Sequence, residues 1–324
     1  MSIRIFRVLL GVFLAALVSV SVAQDHHYPV RPITLIVPFA PGGSSDLLAR
    51  KYANLLEKKL GTTVVVENRG GGSGVIGAQA AARATADGHT LLLAHTTGIA
   101  VLPLLRQDIP YDVDRDFSLI TLLGATPQVL VVPPNGPQDL DSFVSSAKSQ
   151  PGKLNYSSGG VATPPHLVAE LFKLRSGLDI VHVPFNGSTA SIASLLGGHM
   201  DAAFQNIDSL LPQIQAGTLR ALAIASARRS EALPDVPTLE EKGIQGVENQ
   251  TWFGIAAPAG LPSSVYDTLV KASTEVVEAD EFQAYLRSQA VNATPVGPEA
   301  FKSLLDDERV RWRQVIEAAD IRLS

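Results

Sequence analysis

Three short segments of this chain place glycine, hydroxyl side chains and the expected start of a helix together: Pro41-Gly42-Gly43-Ser44-Ser45-Asp46, Ser157-Ser158-Gly159-Gly160 and Asn186-Gly187-Ser188-Thr189. Each follows a predicted strand, at the crevice edge where open α/β sheets bind ligands. Glycine lets a ligand approach the main chain closely. Hydroxyls add donors, and the unpaired amides of a helix N-terminus carry partial positive charge. The chemistry this suits is anion binding. One such loop is commonly only a capped turn, because Ser and Asp are favoured helix caps. Three, one from an expected first lobe and two from a second, point to a carboxylate held between lobes.

None of these loops contains Lys or Arg. Amides and hydroxyls must then do the holding, at about 1.5 to 3 kcal/mol for each hydrogen bond to a charged group. Micromolar affinity needs about 8 kcal/mol, so four to six well-placed donors suffice.

Other chemistries lack their residues. Gly72-Ser73-Gly74-Val75-Ile76-Gly77 has the dinucleotide-binding spacing. The next strand, however, ends in His95 where an acidic residue would hold a ribose, so the segment reads as a tight strand-to-helix turn. Ser73 is not in a complete G-x-S-x-G elbow, because Val75 replaces the second glycine. The seven histidines form no metal-binding motif. His166 and Glu170, four apart on one helix face, read as a surface or supporting pair. Neither a cofactor nor a metal is expected. Phe39, Phe185, Trp252 and Phe253 read as core aromatics at strand ends.

Composition narrows the class further. The chain has 324 residues, 46% of them hydrophobic and 18% charged, the balance of a globular protein of about two domains. A net charge of −5 with no basic run argues against nucleic acid as a partner. Cysteine is absent, which excludes disulfides, thiolate sites and a lipid-bearing cysteine. Arg4 and Arg7, the uncharged run Val8 to Val20 and the small residues Ser21-Val22-Ala23 read as a signal peptide over residues 1–23. The 13-residue run is well short of the roughly 20 residues of a spanning helix. The expected product is soluble, exported and free in a periplasm-like space.

The elements that must position the loops repeat one unit of apolar strand, glycine- or hydroxyl-rich loop and amphipathic helix. Strands are expected at Ile33 to Phe39, Thr63 to Glu67 and Thr90 to His95, with helices at Ser45 to Leu60 and Gly74 to Ala84. A second set follows the Pro/Gly cluster Val132 to Pro137. It has a helix at Leu140 to Ser149 and strands at Leu154 to Tyr156, Ile180 to Val183, Asp201 to Phe204 and Ala221 to Ala225. Helices at Val265 to Glu278, Glu281 to Ala290 and Pro298 to Ala319 end the chain. Alternation of this kind means an α/β fold with mostly parallel sheets. The strands Gln128 to Val132 and Trp252 to Ala257 bracket the second set and read as two crossovers. Residues 24–127 with 254–324 then form one lobe and 128–253 the other, with a cleft and a hinge between them.

The segment Tyr28 to Asp46, with Val66-Glu67-Asn68-Arg69, Asp87 to Leu92, Pro151 to Tyr156, Val181-His182-Val183-Pro184-Phe185, Leu195-Leu196-Gly197-Gly198 and Leu233 to Thr238, resembles the tripartite tricarboxylate transporter receptors, the Bug family. The likeness runs in order over nearly all the chain after residue 23. It implies a two-lobed periplasmic-binding-protein fold of the type II, flytrap kind. It also implies capture of a small carboxylate through loop amides, hydroxyls and water, for a membrane permease with one large and one small subunit. Carried onto this sequence, it assigns ligand contact to Phe39, Ala40, Pro41, Gly42, Gly43, Ser44 and Asp46, with Thr96 and Thr97 on the rim. On the second lobe it assigns Ser157, Ser158, Gly159, Gly160, Pro184, Phe185, Asn186, Gly187 and Ser188, with Gln205 and Asn206 on the rim. Asn186 stands where many members have Lys, Val161 and Pro164-Pro165 where small polar residues are usual, and Asp208 where Pro is frequent. The ligand therefore stays open among dicarboxylate, tricarboxylate, aromatic acid and amino acid. The implied receptor is a monomer and not an enzyme. A ligand sensor and a secreted serine hydrolase are the competing readings.

Overall fold

The computed structural model describes residues 28–318 and residue 321, so the expected signal peptide lies outside the described residues. Alternation decides where β1 (Ile33–Val37) sits. Ile33, Leu35 and Val37 enter one apolar cluster and Ile36 enters another. Only a strand covered on both faces does this. Leu91 and Leu93 against Leu92 and Ala94 divide in the same way along β3 (Thr90–His95).

The helices Ser44–Leu60, Ser263–Glu278 and Asp280–Ser288 cover the first face through Leu48, Tyr52, Leu269 and Phe282. The other face is covered by Val75–Ala82 and Pro298–Ala318, through Ala78, Ala81, Phe301 and Trp312. The turn between β2 (Val64–Asn68) and the Val75–Ala82 helix is the tight one its glycines imply. A Cβ on Gly77 would lie 2.7 Å from Pro38 Cα, so only glycine lets this helix sit so close to the first strand.

A second sheet repeats the plan. Its strands are the end of β4 (Phe117–Val132) with β5 (Asn155–Ser158), β6 (Val181–Pro184), β7 (Ala202–Asn206) and β8 (Arg220–Ala225). Leu130 and Val132 face one cluster with the helices Leu140–Ser149 and Pro164–Ser176. Val129 and Val131 face another with Ser188–Leu196 and Ile207–Gln215.

With β9 at Gln250–Pro258, the strand order is β2-β1-β3-β9-β4 in the first sheet and β6-β5-β7-β4-β8 in the second. The pairings β1 with β2 and β3, and β5 with β6 and β7, are parallel. Those that involve β4 or β9 are antiparallel. β4 joins the two sheets. It pairs with β9 from Phe117 to Pro127, then from Gln128 onward with β7 and β8.

At this handover the contacts turn polar. Thr126 Oγ1 donates to Asp208 (3.1 Å), Gln128 donates to the Asn249 carbonyl (2.9 Å), and Thr251 Oγ1 donates to Asn206 Oδ1 (2.8 Å). All of these residues are buried. Directional bonds in place of apolar packing hold the two sheets in register here.

β9 lies between two neighbours, and Gly254 is where a side chain would meet them. An added Cβ would stand 2.5 Å from the Phe301 ring and 2.9 Å from the Thr121 carbonyl oxygen. Gly254→Ala is expected to destabilise the protein by about 1–3 kcal/mol through overpacking, read from the denaturation midpoint.

Candidate ligand-binding site

Four helices begin at one place between the lobes. Their N-cap residues are Gly43, Thr163, Gly187 and Asn206, and none of the four ends is closed by a capping side chain. All four residues line a single small cavity of ≈ 50 Å³. An uncapped N-terminus leaves main-chain amides without an intrahelical partner, and the helix dipole adds partial positive charge, although in the helix after Asn206 the Asp208 carboxylate takes the Asp208 and Ser209 amides. In the second of these helices Pro164 and Pro165 occupy the first turn. Proline has no N–H, so that helix contributes its dipole and an apolar wall at Pro165 but few donors.

The first-lobe loop is shaped from behind. The Asp46 carboxylate accepts from the Gly42 N–H, from Arg50 Nε and from Asn68 Nδ2, each at 2.9 Å, and Asn68 Nδ2 also reaches the Phe39 carbonyl at 3.1 Å. Burial raises the Asp46 pKa, but these hydrogen bonds outweigh it and hold the carboxyl below its usual range. Asp46 thus fixes the loop and does not face the cavity. Gly42 takes φ +84° to make the turn. Phe39, Ala40, Gly43 and Ser44 line the cavity, together with Ser45 from the next position, while Pro41, Gly42 and Asp46 stand outside it.

The second-lobe segments divide in the same manner. Gly159, Gly187 and Ser188 line the cavity, as do Gln205 and Asn206. Ser157 and Ser158 are fully buried. Ser157 Oγ accepts from Ser191 Oγ (2.7 Å), which accepts from Gln205 Nε2 (2.8 Å) and so orients that amide. Ser158 Oγ pairs with His182 Nε2 (2.7 Å) beneath the loop, and the Gly160 carbonyl accepts from Thr163 Oγ1 (2.7 Å). Pro184, Phe185 and Asn186 carry the backbone past the cavity without lining it. The Phe185 N–H donates to the Ser158 carbonyl and the Gly187 N–H to that of Gly159. Of the two readings of His166 and Glu170, a surface or a supporting pair, the structure shows supporting residues that do not pair with each other. His166 is buried, stacks on His182 with centroids 4.2 Å apart, and accepts from the Ala162 N–H, while Glu170 binds Tyr156 and Lys173. Burial pushes His166 down to about 4 and His182 to about 3, so both imidazoles are neutral supports.

Among the described residues, no Lys or Arg lines the cavity. Its one ring nitrogen donor belongs to His95, which stands where a dinucleotide site would have an acid. His95 Nδ1 accepts from the Thr97 N–H at 3.1 Å, which leaves the ring proton on Nε2. Burial holds its pKa near 3, so it offers a neutral donor. Its place at the cavity end of β3 was the only signal for it. Thr96 and Thr97 lie one layer behind, both fully buried, with Thr96 Oγ1 accepting from the Trp252 N–H at 3.0 Å. Thr189 of the third loop and Pro165, a departure from the family pattern, also line the cavity, as does Thr163, which carried no separate signal in the sequence.

The lobes touch across this site. Ser73 Oγ donates to the Val161 carbonyl (2.8 Å), Asn206 Nδ2 to Ser44 Oγ (3.4 Å), and the Ser44 hydroxyl hydrogen-bonds Asp208. A Cβ on Gly43 would lie 2.7 Å from Ser188 Oγ of the other lobe, so any larger residue here must displace that hydroxyl. Among the described residues, no cluster of three or more His, Asp or Glu could hold a metal ion, and no helix is long and apolar enough to cross a membrane.

Residues 48–321 match the family model for the tripartite tricarboxylate transporter family receptor. The chain is 37% identical over 320 residues to protein BugT of Bordetella pertussis, covering 97% of each. It is also similar to R. palustris Rpa4515 with adipate (31% identity, TM-score 0.88, 91% of this chain and 99% of that one). MatC from Rhodopseudomonas palustris, with bound malate, is similar too (29% identity, TM-score 0.84, 89% and 100%).

Burial pushes Asp208 up to about 6 from 3.8, so the ionised form is the one the folded state disfavours. That cost is present above pH 6 and fades as the pH falls through 6 towards 3.8. Asp208→Asn is expected to raise stability at pH 7.5 by about 2–3 kcal/mol and to flatten the pH dependence of denaturant unfolding between pH 7 and 4.5.

Proposed function

The chain belongs to the tripartite tricarboxylate transporter receptor family, and from that premise we propose that it captures a small dicarboxylate in the cleft and delivers it to a membrane permease with one large and one small subunit. The observation that carries this reading is the meeting of four uncapped helix N-termini at one cavity that no Lys or Arg lines. Each N-terminus carries partial positive charge suited to a carboxylate, and the acidic first-turn residues Asp46 and Asp208 offset part of it at two of the four. The acids bound by the two R. palustris proteins, adipate and malate, are both dicarboxylates.

In this reading the Ser44, Ser45, Ser188 and Thr189 hydroxyls, the first-turn amides and His95 Nε2–H hold the carboxylates. Phe39 and Pro165 face the carbon chain. The Ser44, Asn206 and Asp208 contacts close the lobes over it, with β4 and β9 as the hinge. No bond of the ligand is broken, and the two-lobed receptor works as a monomer in the periplasm after removal of residues 1–23. Steering by net charge opposes an anion here, since loss of Arg4 and Arg7 moves the formal charge from −5 to −7. Capture therefore depends on local dipoles.

Calorimetry against malate, adipate, citrate, benzoate and glutamate is expected to find at least one dicarboxylate bound at about micromolar affinity, near 8 kcal/mol. Silence across that panel would sink the proposal, and catalytic turnover of a bound acid would replace it with the hydrolase reading. Loss of uptake on deletion of the gene supports transport, whereas intact uptake with an altered gene response supports sensing. Gly43→Val is expected to weaken binding more than about tenfold by holding the lobes apart. Arg69→Ala should change it less than about threefold, because Arg69 is exposed and paired with Glu67 at 2.7 Å.

A further inference from the structure

The hinge strands have a second face. On β4, Thr126 and Gln128 enter the polar network behind the cleft, and Ala125 points the other way. On β9, Thr251 joins that network, and Gln250 and Trp252 point away from it. Ala125, Gln250 and Trp252 line a cavity of ≈ 560 Å³, far larger than the ≈ 50 Å³ at the cleft. Its other walls come from both lobes: Glu248 and Asn249 from the second, Thr294, Glu308 and Arg311 from the first.

Buried polar groups ordinarily find partners. Asn249 is 2% exposed, and among the described residues neither its amide nitrogen nor its amide oxygen has one. Its main chain, by contrast, is fully used. The N–H donates to the Ala225 carbonyl (3.0 Å) and the carbonyl accepts from Gln128 (2.9 Å). The backbone pins the residue while two donors and an acceptor remain unpaired and buried beside the cavity. Thr294 Oγ1, from the other lobe, is also buried without a partner.

The charged groups beside them are unevenly satisfied. Glu308 Oε2 accepts from the indoles of Trp252 (3.3 Å) and Trp312 (2.7 Å). Arg311 reaches Glu308 only at 3.6 Å, which leaves most of its guanidinium fork free among the described residues. The Glu248 carboxyl lies beside that of Glu240, and two like charges so close favour a proton or another cation between them. An ammonium group could take the place of that proton.

We propose that this cavity is a second small-molecule site for a zwitterionic solute of the amino-acid type. Its ammonium lies by Glu248, its carboxylate by Arg311, and Asn249 and Thr294 complete the hydrogen bonds. Because both lobes wall the cavity, any rotation between them reshapes it, and its occupancy is coupled to binding in the cleft, equally in both directions. The coupling rests on the proposed closure; the site itself does not.

The chain has two tryptophans, Trp252 and Trp312, and both donate to Glu308, so intrinsic fluorescence reads this cavity directly. L-Glutamine, glycine and L-lysine are the probes, with L-glutamine expected to be best because its carboxamide can pair with that of Asn249. A saturable fluorescence change is expected, half-complete at about millimolar concentration or below. Asn249→Leu and Thr294→Val, both expected to fold because each removes only unpaired polar atoms, should each weaken it about tenfold while leaving carboxylate calorimetry in the absence of amino acid unchanged. Saturating L-glutamine should shift the carboxylate half-saturation by the same factor as the carboxylate shifts that of glutamine. The site is overturned by absence of a saturable response to all three probes, by a response undiminished in both variants, or by one-for-one displacement of the probe by the cleft ligand. A silent carboxylate panel beside an intact glutamine response removes the transport reading and leaves this site standing.

Discussion

Every helix N-terminus must dispose of amides that the helix itself cannot satisfy. Some do so with a capping side chain, as the Leu140–Ser149 helix does through Asp139 and Ser142. At the cleft, the four helices that start at Gly43, Thr163, Gly187 and Asn206 have no such cap. Their polarity is directed into a shared space, and the rest of the molecule is arranged around that demand. The paired three-layer lobes bring four strand ends to one edge. Asp46 and Arg50 neutralise each other behind the first loop, and His95 is held uncharged by burial. A lysine at the same place would bind a carboxylate with less geometric selectivity, because a point charge accepts many orientations and an array of fixed N–H groups does not.

The hinge shows the complementary choice. An apolar seam between the lobes would be content with many relative orientations. The network of Thr126, Gln128, Asn206, Asp208 and Thr251 has directional partners in one arrangement. Its cost is visible at Asp208, a carboxyl buried against hydroxyls with no cation beside it, whose pKa rises for that reason. The ends of the chain add a third contact between the lobes. Val315, on the last helix, packs against clusters in both.

Much of this was legible in the sequence. The strands β1 and β3 and the positions of most helices follow from apolar spacing, and the glycine/hydroxyl loops stand where that spacing puts them. Gly43, Gly159, Gly187 and Ser188 come together at the cavity. The first part of β4 was not foreseen. Ser118, Thr121 and Gly124 break the apolar run between Phe117 and Pro127, and only pairing with β9 on a buried sheet makes it a strand. The return strand likewise reaches back to Gln250, two residues before its apolar run begins. Within the loops, spacing says which residues are near the crevice but not which way each points. Ser157, Ser158 and Asp46 look like Ser44 and Ser188 on paper, yet they brace the loop from beneath. His95 went unread because a single histidine at a strand end has no periodic neighbour to give it meaning.

β9 is inserted between β3 and β4, although some 120 residues separate it from β4 in the chain. A polypeptide emerging N-terminus first can assemble the whole second sheet while the first still has a gap at its centre. Both β3 and the first half of β4 then present bare hydrogen-bonding edges towards each other's missing neighbour. Such edges invite pairing with foreign strands. The interval before residues 250–258 arrive is therefore the period in which a nascent copy of this protein is most exposed to mis-assembly, and the period in which a chaperone has most to shield.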